Sequence, residues 1–86
     1  MNFDFVVKNI ERFVSELSPV SARHVVAAAK NFGRETGMNT SVVPADVETV
    51  RAIINSKTNW RQNGFGSPEA WQNWRSNVIR SVKLSA

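Results

Sequence analysis

The sequence predicts an all-α domain of four helices, and three observations predict it. Four segments, about 2–17, 19–33, 44–56 and 68–82, repeat apolar residues at helical spacing. Pro19, Pro44 and Pro68 stand where three of those segments begin, at the helical position where a missing N–H costs nothing. Turn formers separate the segments: Gly33 or Gly37 after the second, then Asn63-Gly64 and Gly66 after the third. The expected architecture is one domain over residues 1–86, an irregular compact bundle with helices one and two as an antiparallel hairpin.

Helix one carries Phe3, Val6, Val7, Ile10, Phe13, Val14 and Leu17 on one face. Asn2 is placed to cap it, and Asp4 lies at the positive end of its dipole. Phe5 breaks the pattern and falls opposite the stripe, near Lys8, Arg12 and Glu16. It either folds back against the loop after helix three or marks a contact surface. Ser18-Pro19 closes this helix and starts the next, because a residue before proline resists the α region. The inner face of helix two is Ala22, Val25, Val26, Ala29 and Phe32, while Arg23, Lys30 and Arg34 form a stripe on another side.

The stretch from Gly33 to Asp46 is irregular, with Val42 and Val43 expected to pack and Val43 extended before Pro44. Helix three buries Val47, Val50, Ile53 and Ile54, with Asp46 and Glu48 in its first turn. The polar loop "SKTNWRQNGFGS" follows, and Ser67, Pro68 and Glu69 give helix four its cap, first position and acidic first turn. Its stripe is Trp71, Trp74, Val78, Ile79 and Val82, and the final "KLSA" is expected to fray.

Composition excludes several classes of function. There is no cysteine, hence no disulfide, thiolate metal site or cysteine nucleophile. The start "MNFDFVVKNIERF" lacks the basic region of a secretion signal, and no apolar run nears the roughly 20 residues that span a bilayer. A cytoplasmic location without membrane contact is expected. His24 is the single histidine, no acid stands three or four residues after it, and no phosphate-cradling glycine motif occurs. The expectation is a protein that is not an enzyme, with no cofactor, no metal and no small-molecule substrate.

Charge is more telling. The net charge is +4, and the imbalance is confined to the second half. Arg51, Lys57, Arg61, Arg75, Arg80 and Lys83 face a single acid there, Glu69. A basic half points to a polyanion or to an acidic protein surface. All three tryptophans lie in the same half. Trp71 and Trp74 sit on an apolar stripe and read as core. Trp60 precedes Arg61 in a polar loop and is either a lid on the core or a stacking platform. Arg75 lies inside the stripe of helix four, where its stem can rest on Trp71 as a cation–π pair.

Three functions are expected, in this order. The first is a nucleic-acid-binding module with contacts from Arg23, Lys30, Arg34, Lys57, Trp60, Arg61, Arg80 and Lys83. The helix-to-helix links are too long for a helix-turn-helix. The second is a protein-interaction module, a small adaptor or inhibitor docking on a larger protein, with Phe5, Trp60, Arg61 and Arg75 as anchors. Small motif-free chains of this character are common in phages and mobile elements, where they bind host machinery. The third is a structural protomer of a homo-oligomer, since a core this thin gains from self-association.

Overall fold

Asn2 opens the first helix as the sequence leads one to expect, its side chain accepting from the Phe5 N–H. In the computed structural model, which describes residues 1–86, the elements are α1 (Phe3–Phe13), α2 (Pro19–Thr36), a single 3-10 turn (Thr40–Val42), α3 (Val47–Lys57) and α4 (Pro68–Ser85). The architecture is all-α with four helices. α4 packs against the other three, and α1 and α2 pack against each other. The Cα radius of gyration is 11.9 Å, close to the about 12 Å of a folded chain this long.

Four boundaries depart from the spacing argument. α1 stops at Phe13 rather than at residue 17. Val14 through Leu17 form a tight turn closed by the Leu17 N–H on the Val14 carbonyl at 3.0 Å. Ser18 must be extended ahead of Pro19 and also caps α2 by accepting from the Ser21 N–H. Unwinding one turn early supplies the chain that the reversal needs, while Val14 still reaches the core.

α2 runs on to Thr36 and ends at Gly37. Gly37 takes φ 70°, the left-handed conformation that glycine adopts without strain. Gly33 stays helical and serves close approach instead: a Cβ there would stand 3.1 Å from the Thr40 side chain and 3.2 Å from the Met38 carbonyl.

α3 begins at Val47, not Pro44. The chain around Pro44 is extended and bridges to Asn2 in antiparallel fashion, with the Phe3 N–H on the Val43 carbonyl (2.8 Å) and the Ala45 N–H on the Met1 carbonyl (3.1 Å). The bonds fall on the residues flanking Pro44, so its missing N–H leaves no gap. Asp46 then caps α3 through the Thr49 backbone N–H (2.9 Å) and hydroxyl (2.8 Å). These bonds hold the Asp46 carboxyl below the usual range, the backbone bond contributing most. Within the expected Val42-Val43 pair only Val43 is buried; Val42 is 69% exposed.

α4 is longer than its apolar stripe implies, because "KLSA" is helical to Ser85. Ser81 and Ser85 are buried and stay satisfied by donating to the Val78 (2.6 Å) and Ser81 (2.7 Å) carbonyls. Leu84 packs on the core.

The core joins Phe3, Val6, Ile10 and Val14 of the first segment to Val25, Ala28, Ala29 and Phe32 of α2, with Val50, Ile54, Trp74, Val78 and Val82 from the second half. Phe3 stacks on Phe32 with centroids 4.2 Å apart, and Phe65 meets Trp74 at 5.2 Å. Trp74 is buried and Trp71 half-buried, so both read correctly as core. No helix is long and apolar enough to cross a membrane.

Candidate nucleic-acid interface

α4 presents two faces. Trp74, Val78, Ser81, Val82 and Ser85 turn inward. Gln72, Arg75, Ser76, Ile79, Arg80 and Lys83 recur at the spacing of one helical side and form one wall of a groove. α3 forms the other wall with Arg51 and Ile54, one turn apart. The groove has a volume of about 400 Å³. Ile54 and Ile79 are its apolar residues, four cations line it, and no carboxylate does. None of Arg51, Arg75, Arg80 and Lys83 forms an ion pair within the chain.

The walls are fixed by a relay of hydrogen bonds. Trp71 donates its indole N–H to the Thr58 hydroxyl at 2.9 Å. Thr58 caps α3 and its hydroxyl donates to the Ile54 carbonyl at 2.7 Å. On the outer side the Arg75 guanidinium lies over the Trp71 ring, 4.5 Å from its centroid. It donates to Gln72 Oε1 at 3.0 Å and to Asn55 Oδ1 across the groove. The expected cation–π pair is therefore present, and Arg75 also ties α4 to α3.

The basic residues singled out from sequence separate into two groups. Arg80 and Lys83 line the groove. Arg23, Lys30, Arg34, Lys57, Trp60 and Arg61 lie outside it. The α2 stripe is offset by two acids, the sequence neighbour Glu35 and the distant Glu11 of α1. Lys30 Nζ donates to Glu11 Oε1 of α1 at 2.8 Å, and Arg34 stands 3.5 Å from Glu35. Lys30 in turn holds the Glu11 carboxyl below its ordinary pKa, by hydrogen bond first and charge second.

The Trp60 loop attaches to that end of α2. Asn63 Nδ2 donates to the Glu35 carbonyl (2.8 Å) and carboxylate (3.2 Å), which puts Glu35 between Arg34 and the loop. Trp60 is half-buried and is not among the residues of the core cluster. Its ring is covered by Arg61, whose guanidinium carbon is 4.9 Å from the centroid. Lys57 ends α3, exposed.

Phe5, the proposed anchor on α1, is 41% exposed. It does not reach the loop after α3. It lies with Met1, Val42 and Pro44 beside the segment that precedes α3, and its ring is 6.1 Å from Phe13.

Two groove residues escaped the nucleic-acid reading of the sequence. Spacing marks Arg51 only as one cation in a basic half, and Arg75 only as a structural pair or a protein anchor. The signal for Arg51 was its position three residues before Ile54, at the edge of the buried face of α3. Pairing that edge with one side of α4 needs the crossing of the two helices, which spacing along the chain does not supply. No group of three or more His, Asp or Glu side chains converges to hold a metal ion.

Comparison with known proteins adds no relative: no family model matches the chain, and neither a curated protein nor a solved structure is significantly similar to it.

Proposed function

We propose that this protein is a non-enzymatic nucleic-acid-binding module that grips the phosphate backbone with the groove between α3 and α4. The observation that carries the reading is the set of Arg51, Arg75, Arg80 and Lys83 around one groove with no acid among them and no ion pair within the chain. Clustered like charges repel and weaken the folded state, and Arg51, Arg80 and Lys83 have no ion pair within the chain that offsets this. Multiple cations spaced along a groove suit a polyphosphate, which binds by releasing counterions. The contacting surface is thus moved from the α2 stripe and the Trp60 loop, where Glu11 and Glu35 offset the charge, to the α3–α4 side. A cysteine-free chain suits the reducing cytoplasm where such a partner is found.

The test is a titration with single-stranded and duplex oligonucleotides at low and moderate salt, read by tryptophan fluorescence. Binding that weakens steeply with salt, and that is lost when Arg51, Arg80 and Lys83 are changed together to Gln, supports the reading. No binding to either at low salt overturns it.

One observation favours the second reading, a protein-interaction module. Met1 (60% exposed), Phe5 and Val42 lie exposed around one shallow depression that Asn2, Ser41 and Pro44 also line. Such a surface suits a larger protein partner or a second copy. Retention of a partner by the groove variant and its loss on Phe5→Ser would favour this reading over the first.

A further inference from the structure

The groove cations are not equivalent. Arg51, Arg80 and Lys83 have no side-chain partner within the chain. Arg75 is immobilised. Both of its terminal guanidinium nitrogens already donate, one to Gln72 and one to Asn55, and its central carbon lies over the Trp71 ring, 4.5 Å from the centroid. An arginine that serves a phosphate uses a terminal pair of N–H groups as a fork. Two of the five N–H groups of Arg75 are already used, and they tether the guanidinium between α3 and α4, so it cannot swing onto a phosphate without giving them up. What Arg75 still offers to the groove is the guanidinium face turned away from Trp71. Ile79 beside it is half-buried and gives the groove its apolar surface, while Ile54 is fully buried.

We infer that Arg75 is a stacking platform for one unpaired base of a single strand, while Arg51, Arg80 and Lys83 neutralise the flanking phosphates. The inference rests on the phosphate-binding reading above and names its substrate class. Guanidinium planes and aromatic rings stack unpaired bases, and a base in a duplex is already stacked on both faces and cannot offer one. A concave groove also follows a strand, whereas reading a duplex major groove calls for a projecting element. Trp71, Arg75 and the base form three layers, with Asn55 and Gln72 holding the middle one over the ring. Both single-stranded DNA and RNA carry the required chemistry, an unstacked base between phosphates.

The test compares four ligands of equal length: a single-stranded oligodeoxynucleotide, the same strand in RNA, an abasic strand with the same phosphates, and a duplex. The unaltered protein is expected to bind the base-bearing strands roughly 5- to 100-fold more tightly than the abasic strand and the duplex. A gap between the DNA and RNA strands would identify the natural source. Arg75→Lys keeps the charge and removes the plane. It is expected to erase the preference for bases while leaving the salt dependence unchanged. If the unaltered protein binds the abasic strand or the duplex as tightly as the base-bearing strand, base stacking is overturned and phosphate binding stands. The abasic comparison needs no variant, so it decides even if Arg75→Lys loosens the groove. No binding to any of the four overturns the phosphate reading itself.

Discussion

Trp71 Nε1 donates to Thr58 Oγ1 at 2.9 Å, and this one bond joins the start of α4 to the last turn of α3. Thr58 is buried and also donates to the Ile54 carbonyl. Thr58→Val keeps the shape and removes both functions of the hydroxyl. The indole N–H then loses its acceptor in a half-buried place, at a cost of about 1–2 kcal/mol. Urea unfolding is expected to show an earlier midpoint with an unchanged slope. Trp71→Phe removes the donor, and the double variant should lose less than the sum of the two singles.

Gly37 and Gly33 separate in the same assay. Both were candidates to end α2, and the sequence offered no means of choosing. The structure chooses by backbone conformation, φ 70° at Gly37 and ordinary helix at Gly33. Gly37→Ala is expected to destabilise by about 1–2 kcal/mol, the strain of a left-handed L-residue. Gly33→Ala gains helix propensity but drives its Cβ against the Met38 carbonyl at 3.2 Å. It should therefore fall short of the stabilisation of about 1 kcal/mol that an unobstructed helical Gly→Ala change brings.

Glu11 is paired with Lys30 at 2.8 Å. The carboxyl is held below its ordinary pKa in the folded chain, so the pair contributes above the unfolded carboxylate pKa. That contribution is lost as pH falls through the lowered folded value. Both side chains are largely exposed, so its effect on stability is small. The direct measurement is an NMR titration of the Glu11 side chain. Lys30→Ala should return its midpoint toward the ordinary carboxylate value, and an unmoved midpoint would show that the pair does not form in solution.

The sequence carried the fold at the level of faces, and less well at the level of ends. Phe3, Val6, Ile10, Val25, Phe32, Val50, Ile54, Trp74 and Val78 all lie where helical spacing put them. The ends went astray where a long-range contact overrode a local signal. Pro44 looks like a first helical residue, yet its segment is recruited into the bridge with Asn2. Leu17 continues the stripe of α1, yet the reversal to Pro19 takes its turn. The same limit applies to the basic residues, whose partners spacing does not reveal. Glu11 is 19 residues from Lys30, and Asn55 is 20 residues from Arg75. Neither partner can be found by spacing within one helix, and the two decide which cations are offset and which one is locked.

Salt dependence tells the two basic surfaces apart. Each phosphate contact contributes about 0.7 to the slope of log K against log salt for a single strand. Changing Arg51, Arg80 and Lys83 to Gln removes three unpaired cations and should lower that slope by about 2. Changing Arg23, Lys30 and Arg34 to Gln removes as much formal charge. Yet Lys30 is held by Glu11 and Arg34 lies 3.5 Å from Glu35, which leaves Arg23 as the one cation of the stripe with no acid beside it. The second variant should change the slope by less than about 1, with the difference due to long-range charge alone. The two proteins have equal net charge, so solubility and nonspecific attraction are matched between them. Equal slopes would show that binding follows net charge rather than the groove. A larger loss from the α2 variant would return the contact surface to the stripe that the sequence first suggested.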